Sequence, residues 1–403
     1  MMNTDFLIVG AGIIGLSLAR ELAQRFPGAA IRIIEKEKEV AFHASGRNSG
    51  VLHAGFYYSA DSLKARFTRD GNRALTEYCQ MHGLAINRCG KVVVASTEAD
   101  IEGIYELKAR AERNGVELHL VDAQELKELE PNARTQEKAL FSPTTSTVNP
   151  QQVCRHMAAG LPRNVEILYG RRFIRREKER IVTSHETMRY RYLFNAAGLY
   201  ADQIARHFGA GRELTMIPFK GIYLRYGDDN LLQRHVYPVP NLRNPFLGVH
   251  FTKTVDGHVK VGPTAIPAFW RENYRGAERF RLGEFAEIVA REGWLLLHNS
   301  FNFRDLALGE IRKYQRSFFI RESRRLVTTL DPARFTGFTQ PGIRAQLLDL
   351  KTHALVMDFR IEHAENSTHV LNAVSPAFTS ALSFAAHIVA ESLTRLPDSM
   401  RSS

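Results

Sequence analysis

The chain has 403 residues, 44% of them hydrophobic, which suits a large buried core and is more than one core usually holds, so two domains are expected. A formal net charge of +11 favours an anionic partner: nucleic acid, an acidic membrane surface or an acidic small molecule. Composition excludes much else: no apolar run is long enough to cross a bilayer, Met1 to Phe6 lacks a secretion-signal pattern, and Cys79, Cys89 and Cys154 fit no zinc or CxxC spacing, so a chain with reduced thiols, no metal site and a cytoplasmic location is expected.

Phe6 to Val9 reads as a short strand, Gly10-Ala11-Gly12-Ile13-Ile14-Gly15 as a turn, and Leu16, Ala19, Leu22 and Ala23 as the apolar side of a helix. In such a turn Gly10 permits the tight bend, Gly12 lets the backbone approach a pyrophosphate, and Gly15 lets the helix pack on the strand. The helix amino terminus then offers N–H groups to phosphate. A second strand, Ile31 to Ile34, ends in Glu35, placed to accept hydrogen bonds from an adenosine ribose. This is a dinucleotide site, and the fingerprint serves FAD and NAD alike.

The next segment separates the two. An NAD enzyme would continue with another strand and helix, whereas this chain enters an irregular polar stretch from His43 to Gly55. Small residues and amides let a backbone lie flat along a bulky cofactor. The fingerprint, Glu35 and Ser45-Gly46-Arg47-Asn48-Ser49-Gly50 together resemble the D-amino-acid-oxidase-like (DAO) superfamily of flavoproteins. The run VLHAGFYY (Val51 to Tyr58) with Ser62 to Ala65 is similar to its L-2-hydroxyglutarate oxidase or dehydrogenase family, and later segments agree. These are NAAGLYAD (Asn195 to Asp202), PFKG (Pro218 to Gly221, likened to the start of a substrate-domain strand), YPVPN and PFLGVHFT (Tyr237 to Thr252), VGP (Val261 to Pro263), GIRAQ (Gly342 to Gln346) and SPAFTSAL (Ser375 to Leu382). Arg47, Lys220 and Phe378 depart from the family's usual residues.

The resemblance implies an α/β fold: a Rossmann-like FAD domain from residues 1–85, 150–215 and 340–395, and a mixed-sheet α+β substrate domain from 86–149 and 216–339. It implies FAD contacts from Gly10, Gly12, Ile14, Gly15, Glu35, Lys36, the Ser45 to Gly50 run, Val51, Leu52, Ala197, Gly198, Ser375, Pro376, Ala377, Phe378 and Thr379. The implied reaction is oxidation of L-2-hydroxyglutarate to 2-oxoglutarate by hydride transfer to flavin N5, with electrons passing to quinone or another acceptor.

Such a reaction needs a carboxylate clamp and a base. Arg344 is the best clamp, since guanidinium binds carboxylate in two-pronged fashion. Lys220 is a second cation, balanced against a structural ion pair; Tyr57, Tyr58 and Thr379 complete the candidate substrate site. His250 is favoured as base over His53, which could instead hold the flavin or line the substrate site with Tyr57 and Tyr58. Ser375-Pro376 opens a helix whose positive end would face the flavin. The alternative reading of the fold is an oxidase of another 2-hydroxyacid, an amino acid or a secondary amine such as glycine or sarcosine. No nucleic-acid-binding motif accounts for the charge.

Two basic regions stand apart. Arg171 to Arg180 reads as a solvated hairpin. Glu284 to Arg325 places Trp294, Phe301, Phe303, Phe318 and Phe319 beside Arg312, Lys313, Arg316, Arg321, Arg324 and Arg325. Such a pattern suits peripheral attachment to an anionic membrane, here the cytoplasmic face of an inner membrane, or equally a core-packed helix pair with a basic outer face.

Overall fold

All four side chains of Phe6–Val9 are buried, as a parallel strand covered on both faces requires. In the computed structural model this strand is central to a six-stranded sheet. Tyr192–Asn195 and Ile31–Glu35 flank it in parallel. Val165–Tyr169 extends the sheet beyond Ile31–Glu35, while Ser367–Asn372 and the antiparallel Arg360–Ala364 extend it beyond Tyr192–Asn195. The structure describes residues 4–240, 247–397 and 400. Asn241, Pro245 and Phe246, from the YPVPN and PFLGVHFT runs, lie outside the described residues.

The chain forms two compact units, one of residues 1–47, 150–218 and 344–403 and the other of 48–149 and 219–343. It passes from one to the other between residues 47 and 48 and between 149 and 150, and again within the strands Leu214–Gly221 and Gly342–Asp349. The PFKG run therefore ends a strand, where the resemblance suggested a beginning. Residues 48–85 group with the second unit because their helix, Leu63–Met81, packs on Asp100–Asn114 and Ile86–Asn87.

In the first unit the helix Ile13–Arg25 buries Ile13, Ile14, Leu16, Leu18, Ala19, Leu22 and Ala23 and packs along the helix Ala377–Leu393. The amino-terminal and carboxyl-terminal motifs are thus neighbours. Pro376 stands at the cap of the latter helix, one residue ahead of its first turn. The basic segment forms the expected hairpin, Phe173–Glu177 against Arg180–Thr183, and a third strand, Thr187–Arg189, continues the meander.

The second unit centres on an eight-stranded sheet in the order 335–338, 224–226, 259–262, 250–253, 235–238, 91–94, 138–142 and 119–122. Its pairs are antiparallel except His235–Pro238 with Lys91–Val94. Alternation divides the sheet into two faces. Val92, Val94, Val236, Phe251 and Val261 belong to one core cluster, with Phe319 and Leu326 from the helical segment. Val93, Leu140 and Tyr237 belong to another, with Phe56, Tyr57, Ile104 and Leu107.

The helical segment is Leu282–His298, Phe303–Ile311 and Arg316–Ser323. Phe303 and Phe319, which the sequence allowed either as surface anchors or as core, are fully buried. The apolar side chains it exposes are mainly aliphatic, Leu282, Val289, Leu296, Leu297, Leu308 and Ile311, together with Phe301 and Tyr314. A helical pattern alone does not distinguish an inward from an outward aromatic when both sides of the helix carry them. No helix among the described residues is long and apolar enough to cross a membrane.

Candidate cofactor and substrate sites

In the first unit, the turn after Phe6–Val9 is fixed by backbone sterics. Gly10 has φ +104°, a region that side chains avoid, and a Cβ on Gly15 would lie 1.9 Å from the Gly10 carbonyl oxygen. The carboxylate of Glu35 closes the turn: the Ala11 N–H donates to Oε2 at 2.8 Å and the Glu37 N–H to Oε1 at 2.9 Å. The Ser45 hydroxyl accepts the Ile13 N–H at 2.9 Å and lies beside Gly12. Glu35, Ser45 and the glycine turn are thus brought together, with Ile14 in the first helical turn.

Lys36 pairs with Glu37 and lies 2.7 Å from His43 Nε2. Arg47 donates from Nε to the Phe42 carbonyl at 2.7 Å and stacks over the Phe42 ring. Both cations are held by their own loop. Gly46 packs against the Ala41 carbonyl. Across the sheet, Asn195 accepts the Ala197 N–H at 3.2 Å and donates to the Ala201 carbonyl at 2.8 Å. That shapes the turn through Ala197 and Gly198. Ser375 is exposed, Phe378 half-buried, and Ala377 and Thr379 buried at the start of the last helix. Arg344 is half-buried on the Gly342–Asp349 strand. A glycine turn, a helix amino terminus and a carboxylate at the end of the next strand form a donor and acceptor set that fits an FAD pyrophosphate and ribose.

In the second unit, Asn48 accepts the Gly50 N–H at 2.8 Å and Ser49 accepts the Val51 N–H at 3.3 Å, leading into the short strand Val51–Leu52. Asn72 holds the following loop by donating to the carbonyls of Leu52 (3.1 Å), His53 (3.2 Å) and Thr144 (3.3 Å). Asn114 does the same for Gly55 and Tyr58. His53 is buried at the head of this loop. Tyr57 is buried and Tyr58 half-buried, the latter with the Lys64 ammonium over its ring.

His250 is buried on the strand His250–Lys253 and stacks on Tyr237, with ring centroids 3.7 Å apart and planes 19° apart. Its Nδ1 lies 3.0 Å from the Gly248 carbonyl oxygen. A carbonyl only accepts, so Nδ1 carries the proton. In the neutral ring the lone pair then belongs to Nε2, the state that a base requires. Lys220 is buried, its ammonium donates to the Asn273 side chain at 3.3 Å, and burial lowers its pKa from the usual lysine range. Its partner is an amide, not the carboxylate of an ion pair.

Lys91 was not among the sequence candidates. It is fully buried, with Nζ 4.7, 4.5 and 4.8 Å from the ring centroids of Phe56, Tyr57 and Tyr237. Burial lowers its pKa to about 7. A lysine opening the run Lys91–Val94 has the pattern of a charged guard on a sheet edge, and only the tertiary pairing puts it inside. The three cysteines are free thiols, and burial raises Cys79 and Cys89 to about 11.

A model of the family described as "FAD dependent oxidoreductase" (DAO) matches residues 5–392. The chain is 36% identical to L-2-hydroxyglutarate dehydrogenase of Escherichia coli K12, covering 97% of this chain and 94% of that one. It is 35% identical to the mitochondrial L-2-hydroxyglutarate dehydrogenase of Mus musculus, covering 96% and 88%. Among solved structures it is similar in fold to L-alpha-glycerophosphate oxidase of Mycoplasma pneumoniae with FAD bound, at TM-score 0.76 and 22% identity over 96% of this chain and 94% of that one.

Proposed function

This chain belongs to the FAD-dependent oxidoreductase (DAO) family, and we propose that it oxidises L-2-hydroxyglutarate to 2-oxoglutarate. The observation that carries this reading is identity of 36% over nearly the whole of a curated dehydrogenase for that substrate. FAD, when bound, supplies N5 as the acceptor of the C2 hydride. In the reading, the first unit holds the cofactor through the glycine turn, Glu35 and the Ala197–Gly198 turn, with the Asn48 to Leu52 segment added to it.

Arg344 binds one substrate carboxylate in two-pronged fashion. Lys220, Tyr57, Tyr58 and Thr379 supply the remaining charge and hydrogen bonds that a five-carbon diacid needs. His250 accepts the hydroxyl proton at Nε2, and the Gly248 carbonyl supports this role by holding the ring proton on Nδ1. His53, at the head of the loop held by Asn72, lines the site. Electrons leave to a quinone or another acceptor. The exposed leucines and arginines of the helical segment support peripheral attachment at an anionic membrane.

The test is the absorbance spectrum of the purified protein followed by anaerobic additions. The oxidised flavin bands should bleach with L-2-hydroxyglutarate and persist with the D isomer, with L-lactate and with glycine or sarcosine. Bleaching by an amine alone would replace the reading with an amine oxidase.

A further inference from the structure

Three strands bring Lys91 and His250 to one face of the second unit's sheet. His235–Pro238 lies between Lys91–Val94 and His250–Lys253, so Tyr237 is flanked by the Lys91 ammonium from one neighbouring strand and by the His250 imidazole from the other. Among the described residues no hydrogen-bond acceptor reaches Lys91 Nζ. Ring faces alone hold the cation.

The polar and titratable groups beside it, Lys253 apart, are neutral. His235, paired with Lys91 in register, is held down to about 3 by burial and then by Lys91 and Lys253. The phenols of Tyr57 and Tyr237 are pushed up by burial. The Cys89 thiol, against His235 Nε2 at 3.4 Å, is pushed up to about 11 by burial. Ser142, opposite Lys91 on the next strand, is hydrogen-bonded to Thr145. Lys253 is tied to the Leu232 carbonyl at 2.6 Å.

We propose that Lys91 is a positioning residue for His250: acting through the Tyr237 ring, it fixes the plane of the imidazole and keeps that imidazole unprotonated, ready to accept a proton. The inference rests on the reading of His250 as the base. The imidazole can tilt toward the ring only if Tyr237 moves, and Tyr237 is one wall of the lysine cage. A second cation on the far side of the same ring would face a like charge, which raises the cost of an imidazolium. The charge of Lys91 is also present where it is needed. It grows as pH falls through about 7, just as an ordinary histidine, near 6.5, would begin to take up a proton.

The experiment uses FAD-bound enzyme carrying 15N-labelled histidine, as parent, Lys91→Met and Lys91→Arg. Methionine fills the cage and keeps contact with the rings. In Lys91→Met the titration midpoint of His250 should rise by about half a pH unit or more, the effect of removing one nearby charge, and Lys91→Arg should stay near the parent. The acid limb of the flavin reduction rate should move by the same amount, with KM little changed. In the parent, the His250 signal should show a second inflection near neutral pH as Lys91 loses its proton, a readout that needs no variant to fold. An unchanged midpoint in Lys91→Met, or a single-step parent titration if that variant does not fold, would overturn the proposal. A shifted midpoint together with parental reduction rates in His250→Ala would remove the base reading and leave the control of the imidazole by Lys91 standing.

Discussion

The glycine turn of the first unit and the lysine cage of the second both hold charge, but they are built in opposite ways. The turn presents backbone N–H groups, and its constraints arise within the first 45 residues: φ at Gly10, the close approach at Gly15, and the carboxylate of Glu35 on the Ala11 and Glu37 N–H groups. The cage is made of side chains from a loop at Phe56–Tyr57 and two strands at Lys91 and Tyr237. A backbone device fails when one atom is added. A side-chain device is graded, because removing its charge changes energies without displacing the chain.

The most severe way to test that contrast is Gly15→Val. Its Cβ would overlap a carbonyl oxygen of the turn itself, so overpacking should cost about 3 kcal/mol or more. Released flavin per chain should fall close to zero, and a yellow, folded Gly15→Val protein would show the turn to be as tolerant as the cage. Next in size is His250→Ala, which should keep FAD and lower the flavin reduction rate about 10²–10⁴-fold at saturating substrate. A rate within about twofold of the parent by stopped flow would transfer the base role to His53 or to water.

Arg344→Ala should raise KM about 10- to 100-fold, the loss of a charged two-pronged contact, with a smaller change in kcat. Steady-state kinetics that showed the reverse pattern would make Arg344 a transition-state contact instead.

A gentler effect is pH-dependent stability, where two buried groups of the second unit oppose each other. Lys91 is lowered to about 7 by burial, so between about 7 and its unfolded value the unfolded chain binds more protons and stability rises with pH. Glu292, buried in the helix Leu282–His298, is raised to about 8, so between the ordinary carboxylate range and about 8 the folded chain binds more protons and stability falls as pH rises. Thermal unfolding of Lys91→Met should lose the gain above neutrality, and Glu292→Gln the decline below about 8. Unchanged slopes would mean that water reaches these groups. The smallest expected effect is at the surface. Leu297→Ser should weaken binding to anionic vesicles by about 1 kcal/mol, and salt should weaken it further. Equal partition of parent and variant would remove the helical segment from the membrane reading.

What was legible in the sequence follows the same division. The Phe6–Val9 strand, its turn and its helix could be read because strand, glycine spacing and helical periodicity are local and must agree with one another. The GVHFT run singled out His250, yet its tautomer depends on the Gly248 carbonyl and its plane on Tyr237, which lies on another strand. Lys91 was illegible for a physical reason: a lysine before three valines looks solvent-facing until the strand His235–Pro238 pairs alongside it. Phe303 and Phe319 fitted a surface and a core reading equally for the converse reason, since their burial is set by tertiary packing that helical spacing does not encode.

The pairing of the Ile13–Arg25 helix with the Ala377–Leu393 helix has a consequence for how the molecule comes into being. On the ribosome the glycine motif emerges before its partners: the Tyr192–Asn195 strand that pairs with Phe6–Val9 follows much later, and the helix that covers Ile13–Arg25 later still. The apolar side of the first helix must therefore wait through most of synthesis without its native cover. Such long-range closure is slow and leaves hydrophobic surface open to aggregation. Nascent chains stalled before Ala377 should be more protease-sensitive across residues 13–25 than the released protein, and more dependent on chaperones for reaching a state that retains flavin.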